Sequence, residues 1–287
     1  MLAAMALFVC NDALMKLARE VYPAGQAIAL RTIVAVATGL AMVLILREGG
    51  KLRLALRPLV VLRGLFESAV ALSFIWSLGL LPLGNITAIL MTSPLIIVVL
   101  AVIFRIERVG WRRTLAVSIG FCGVLLIVRP AADGFNVAAI VALMSAVLVG
   151  GRDLLTRSIG NEVPSTVISL TTTVLVGLVA IVYGLSETWQ PIWRIETLYV
   201  AGAAVFVATG SFFMVGAFRN TDIGVISGYR YSIVVFAVIL GYVVWGDTPD
   251  ALSLAGIALI VASGLYTMHR QRVVPESRLK ITSTPPS

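Results

Sequence analysis

The residues with chemistry to offer are charged groups placed inside apolar runs. Asp12 and Lys16 stand four apart with the acid first, the favourable order on a helix face. Arg152, Asp153 and Arg157 repeat that pattern, and Arg63 with Glu67 forms a third pair at the same spacing in reverse order. Arg230 lies between Tyr229 and Tyr231, with no acid in helical reach except Asp222, two turns earlier. Arg31 can reach Asp12 from a neighbouring helix. Charged groups at such depth are costly and face protein or water, so they point to charge recognition, gating or proton exchange. Bond-making chemistry has little to work with. The single histidine is His269, and both cysteines, Cys10 and Cys122, fall inside apolar runs. This leaves no metal set, no disulfide framework and no histidine-based catalysis, and implies no cofactor.

The elements that must position these groups are long apolar helices. The 287 residues are 59% hydrophobic and 13% charged, with a mean hydropathy of +1.01. A soluble domain is about 25% charged. Ten apolar runs cover about 2–19, 25–46, 58–80, 84–104, 112–128, 136–155, 165–185, 197–217, 223–245 and 251–269. Each approaches the roughly 20 residues that a helix needs to cross a bilayer, and none alternates like a barrel strand. The expected fold is therefore an all-α integral membrane protein of ten transmembrane helices with short connections. Its lipid partner is the bilayer, and the net charge of +8 reads as orientation charge and not as a nucleic-acid footprint. Fourteen Lys and Arg fall on the even-numbered connections and the tail, against three on the odd-numbered ones. That asymmetry places both termini in the cytoplasm. The polar, Pro/Ser-rich segment 270–287 is expected to be a disordered cytoplasmic tail. Met1 to Val9, which has no cationic leader, is read as the start of the first span and not as a signal peptide.

Span 4 holds Pro94 in its middle, whereas the other span-associated prolines fall at the ends of runs. Proline there removes an amide hydrogen bond and predicts a kink, a free Leu90 carbonyl, and a polar cavity beside Thr92 and Ser93. Span 9 has no proline and reads as unbroken, so the cavity is expected to be asymmetric. The halves of the chain also echo each other. Asp12, Lys16 and Pro23 have the same spacing as Asp153, Arg157 and Pro164. Two five-span halves have opposite topology because five is odd, and inverted repeats of this kind mark secondary transporters. The expected division is 1–130 for the first repeat and 131–269 for the second.

The run from Arg63 to Pro130 carries PLG, TSPL, ERVGWRR and GFCGVLLIVRP in sequence, and Arg31 sits in QAIALR. This pattern resembles the EamA-type permeases of the ten-helix drug/metabolite transporter superfamily. The resemblance spans nearly the whole chain and is weaker in the second repeat, where Gly246-Asp247 stands roughly where a Glu is usual. It implies a bacterial inner-membrane exporter whose similar members move amino acids, including aromatic ones, and other small metabolites.

Spans 3, 4, 8 and 9 are then expected to line a cavity for a small-molecule substrate, with spans 1 and 6 gating it. Arg230 and Ser93 would hold a carboxylate and Glu67 an ammonium group, with Pro94 shaping the wall. Trp76, Met91, Phe212, Tyr229 and Tyr231 would meet the variable part. Asp12, Lys16, Arg31, Arg152, Asp153 and Arg157 would form gate contacts near the two membrane faces. Arg230, lacking a helical partner, has Glu67 as a candidate across the bundle. The bland alternative is that each charge pair neutralises itself and snorkels, and that the aromatics pack or form interface belts. Ala116, Gly120, Gly123, Gly256 and Gly264 fit close helix packing within the fold or between protomers. A drug or quaternary-ammonium exporter is the rival within transport; it would need a cavity acid without a paired base. A membrane enzyme lacks a nucleophile–base set, and a scaffold has no obvious use for midplane charges.

Overall fold

The computed structural model describes residues 1–103, 111–128, 136–160, 162–220 and 229–273, and among them there are helices and no strands. In chain order the helices are α1 (Leu2–Arg19), α2 (Ala24–Ile45), a 3-10 segment (Gly49–Leu56), α3 (Pro58–Leu78), α4 (Leu83–Leu90) and α5 (Ser93–Ile103). Then come α6 (Trp111–Val128), α7 (Val137–Ser158), α8 (Ser165–Gly184), α9 (Ile195–Asn220), α10 (Ser232–Trp245) and α11 (Ala251–Val273). Proline starts several of them: Pro23, Pro82 and Pro164 cap α2, α4 and α8, and Pro58 opens α3. Its missing N–H is one of those that a helix start leaves unpaired in any case. Helix α11 runs past the expected end at 269, and residues 274–287 of the expected tail lie outside the described residues.

Five stretches among the described residues are long and apolar enough to cross a membrane: α2, α3, α4 with α5, α7 and α8. Shorter apolar stretches lie in α6, α9, α10 and α11. Helix α1 is in neither group; Asp12, Lys16 and Arg19 fall along it, and it is held among other helices. Leu44, Ile45, Val182, Leu185 and Val243 are more than two-thirds exposed. Exposed aliphatic faces of this kind are what lipid covers.

Span 4 breaks where its proline predicts. Met91 and Thr92 form a turn between α4 and α5, and Thr92 Oγ1 donates to the Ile89 carbonyl at 2.6 Å. The hydroxyl therefore serves Ile89, not the Leu90 carbonyl that the sequence singles out. Span 9 was expected to be continuous, and it is not. Tyr229 is helical, Arg230 and Tyr231 form a turn, and α10 begins at Ser232. Ser232 Oγ donates to the Tyr229 carbonyl at 2.7 Å, the same three-residue back-bond that Thr92 makes. At each break a hydroxyl adds a bond to a carbonyl of the preceding turn, and the Ile89 carbonyl also accepts from the Thr92 N–H at 3.0 Å. The asymmetry expected from proline alone is thus corrected: both spans break, and only one does so beside a proline. It follows that Pro94→Ala should change stability by no more than about 0.5 kcal/mol, while Thr92→Val should cost about 1 kcal/mol. Thermal unfolding in detergent checks the order; a larger loss for Pro94→Ala would contradict it.

The helices pack in pairs: α1 on α9, α2 on α8, α3 on α7 and α8, α4 on α10, and α6 on α11. The closest approach is at two glycines. A Cβ on Gly123 would lie 2.7 Å from the Gly256 carbonyl oxygen, and one on Gly256 would lie 2.6 Å from that of Gly123. The small residues of α6 and α11 are therefore used inside the fold.

Candidate functional site

A cavity of about 620 Å³ occupies the half of the bundle nearest the α2–α3 connection. Its charged lining is Arg31 from α2, Arg63 and Glu67 from α3, and Arg152 from α7. Hydroxyls come from Thr32 on α2 and from Ser169, Thr172 and Thr173 on α8; Phe8, Ala35, Ala71, Val176 and Val207 complete the wall. Arg152 Nη1 donates to Glu67 Oε2 at 2.8 Å, and its Nη2 and Nε donate to Asp153 Oδ1 at 2.7 and 2.9 Å. One guanidinium thus serves two carboxylates, the fork geometry for which arginine is suited. Arg63 donates to Thr156 and Thr172 hydroxyls at 2.9 and 2.7 Å, with its Nη2 3.9 Å from Glu67 Oε2. Arg31 feels the charges of Asp12 and Glu67 through space. Just outside the cavity, Arg57 pairs with Glu162 and Thr166 donates to Glu48, which ties the 3-10 segment to the start of α8. The hydrogen bond from Arg57 holds the Glu162 carboxyl below the usual carboxylate range.

The opposite end, at the α1–α2 connection, is closed by polar contacts between elements far apart in sequence. Lys16 Nζ donates to the Leu81 carbonyl at 3.0 Å, pairs with Asp247 Oδ2 at 3.2 Å, and lies 4.5 Å from the Trp245 ring centroid. Gly246, at φ 69°, ends α10 in the left-handed conformation that glycine tolerates, and so delivers Asp247 to Lys16. Trp245 Nε1 in turn donates to Glu20 Oε1 at 3.0 Å. Arg19 donates to the Ile75 and Tyr22 carbonyls. Gln26 and Gln190 bond reciprocally, side chain to backbone, at 2.6 and 2.8 Å, and the Tyr22 hydroxyl meets Thr197 Oγ1 at 2.6 Å. Gln26 and Tyr22 are fully buried, so their contacts are buried as well as bonded. Lys16→Met should lower stability by about 2 kcal/mol, because it strands Asp247 and the Leu81 carbonyl together. Asp247→Asn, which keeps a hydrogen-bond acceptor for Lys16, should cost about half as much. Unfolding midpoints in the reverse order would contradict the three-partner role of Lys16.

Comparison with known proteins decides the class. The sequence matches the EamA-like transporter family over residues 1–129 and 136–268. The chain belongs to that family. A riboflavin transporter of Rhizobium johnstonii is 31% identical over 202 residues, covering 68% of this chain and 66% of that one. A pseudopaline exporter of Pseudomonas aeruginosa is 26% identical over 266 residues, covering 92% and 93%. An S-adenosylmethionine uptake transporter of Rickettsia bellii is 25% identical over 219 residues, covering 75% and 74%. One crystal structure, 21% identical, shares the fold with a TM-score of 0.63 over 96% of this chain and 98% of the other. These relatives are named for moving small molecules, some inward and some outward.

In this EamA-like transporter the expected site residues divide into four groups. Arg31, Glu67 and Arg152 come together at the cavity, with Asp153 bonded to Arg152 and Asp12 in the field of Arg31. Lys16 goes to the clasped end, where its partner is Asp247, not the Asp12 four residues before it. Trp76, Met91, Ser93, Pro94, Tyr229, Arg230 and Tyr231 are not among the described residues that line this particular cavity. Trp76 and Met91 pack against the main apolar core, and Tyr231 is buried with its hydroxyl in the notch left by Gly264. Arg230 is exposed, and the carboxylate proposed to meet it, Glu67, is held by Arg152 and Arg63 instead. The side chains of Phe212 and Arg157 lie outside the described residues. Sequence reasoning missed Phe8, the hydroxyl rim of α8 and the Gln26–Gln190 clasp. The run Thr171-Thr172-Thr173 in an otherwise apolar span was the available signal for the rim.

Proposed function

We propose that this EamA-like transporter exports amino acids or similar small metabolites across the bacterial inner membrane by alternating access. The observation that carries the reading is a polar cavity in one half of the bundle opposed to a clasp of polar contacts between distant elements in the other. A carrier accessible from one side has this arrangement. On this reading the chain has ten spans, with α4 and α5 forming one of them, arranged as two inverted five-helix repeats, 1–130 and 131–269. The packing supports the division: exchanging the first five spans with the last five turns the α1–α9 contact into the α7–α3 contact. It also returns the α2–α8, α4–α10 and α6–α11 contacts to themselves. The paired breaks at Met91–Thr92 and Arg230–Tyr231 add to this, as does a family match in two consecutive stretches.

The cavity end carries Arg47, Lys51, Arg53 and Arg57 on its α2–α3 connection. That cation excess favours the cytoplasmic side for this end and for both termini. Substrate would load from the cytoplasm, and release would require parting of the Lys16–Asp247 clasp. The test is efflux from vesicles carrying purified protein and preloaded with labelled amino acids. At least one should leave faster than from protein-free vesicles. If none does while tetraphenylphosphonium leaves rapidly, the drug-exporter alternative replaces this reading.

A further inference from the structure

The three cavity arginines are not equivalent. Arg152 directs its donors to Glu67 and Asp153, and Arg63 directs two of its own to Thr156 and Thr172. Arg31 lines the same cavity, yet among the described residues it makes no hydrogen bond and no ion pair. Its five N–H donors are held in place by helix α2 and by the longer-range pull of Asp12 and Glu67. From this we infer that Arg31 is the anchor for the carboxylate of the transported solute, and that the solute is an organic carboxylate, not a cation.

The inference rests on the transporter reading above and gives its site a substrate class. A planar guanidinium with free donors matches a carboxylate two bonds at a time. The neighbouring acids limit the charge that can be accepted: Glu67 faces the cavity and Asp12 lies close by, so a monoanion or a zwitterion is tolerated better than a polyanion. The apolar side, Phe8, Val176 and Val207, suits the remainder of the molecule. A volume of about 620 Å³ is of the size that holds one metabolite. A lipophilic cation would instead enter a wall that presents three arginines to one carboxylate. Arg31 thereby takes the role that the sequence pattern suggested for Arg230, and Glu67 becomes a counter-ion of Arg63 and Arg152.

The experiment is a thermal-shift titration of the full chain in detergent. The probes are the standard L-amino acids, their carboxamides, pyruvate, benzoate, citrate and tetraphenylphosphonium. At least one carboxylate should raise the unfolding midpoint of the wild type, and its carboxamide should not. Arg31→Gln should weaken that carboxylate by about 10–100-fold, with Arg31→Lys in between because it keeps the charge and loses the fork. The acid-against-amide comparison needs no variant, so it decides the matter even if Arg31→Gln does not fold. A carboxamide that stabilises as well as its acid overturns the inference. So does unchanged affinity in Arg31→Gln, stabilisation by tetraphenylphosphonium alone, or a panel in which no carboxylate stabilises. Vesicle efflux separates the two readings. If a stabilising amide or cation is transported, the transporter stands and the anchor role falls. If carboxylate binding is lost with Arg31 but nothing moves, the anchor role stands and the transport reading falls.

Discussion

Arg152→Ala should destabilise the protein by about 3 kcal/mol, the lower end of what removing one partner of a buried charge pair costs. The lower end applies because the Arg152, Glu67 and Asp153 side chains keep 21%, 25% and 37% of their exposure. The loss falls unevenly on the two acids. Glu67 has a second cation 3.9 Å away in Arg63, which can close on it; Asp153 has no such neighbour among the ion pairs of the described residues. The double variant Arg152→Ala/Asp153→Asn should therefore recover more stability than Arg152→Ala/Glu67→Gln. Chemical or thermal unfolding of the four proteins closes the cycle. Equal recovery by both doubles would mean that Arg63 does not take over Glu67, and a single-variant loss under about 0.5 kcal/mol would remove the network from the stability account.

The second large effect is at the crossing of α6 and α11. Gly123→Ala and Gly256→Ala each place a methyl carbon within 2.7 Å of a backbone carbonyl oxygen on the facing helix. No side chain can rotate away, so the helices must separate and lose contact along their length. Each substitution should cost about 3 kcal/mol, the upper part of the range for overpacking. The pair should cost clearly less than twice that, because helices already parted by the first methyl have room for the second. Gly50→Ala, with nothing within 4 Å of its added carbon, is the neutral control. Full additivity would mean that the two contacts are independent and that the crossing does not move as a unit.

Helix positions were largely legible because a bilayer demands long apolar runs, and prolines and charges mark their ends. The starts of α3 and α8 fall where Pro58 and Pro164 put them. The charge partners were legible only where they are local. Helical spacing correctly relates Arg63 to Glu67, but the stronger partner of Glu67 is Arg152, 85 positions away. Lys16 reaches Asp247 across 231 positions. Such pairs depend on which helices become neighbours, and periodicity along one helix has no access to that. Arg230 illustrates a different limit of reading along one helix. Counted along an unbroken span it lies deep in the membrane; in the structure it sits at a turn and is exposed. The break that releases it has no sequence marker as strong as proline.

The two breaks also bear on how the halves of the chain compare. On the two-repeat reading proposed above, both halves interrupt the corresponding span beside a hydroxyl back-bond, Thr92 in one and Ser232 in the other. On that reading the interruption is the feature the halves share, and the proline is one that a single half carries.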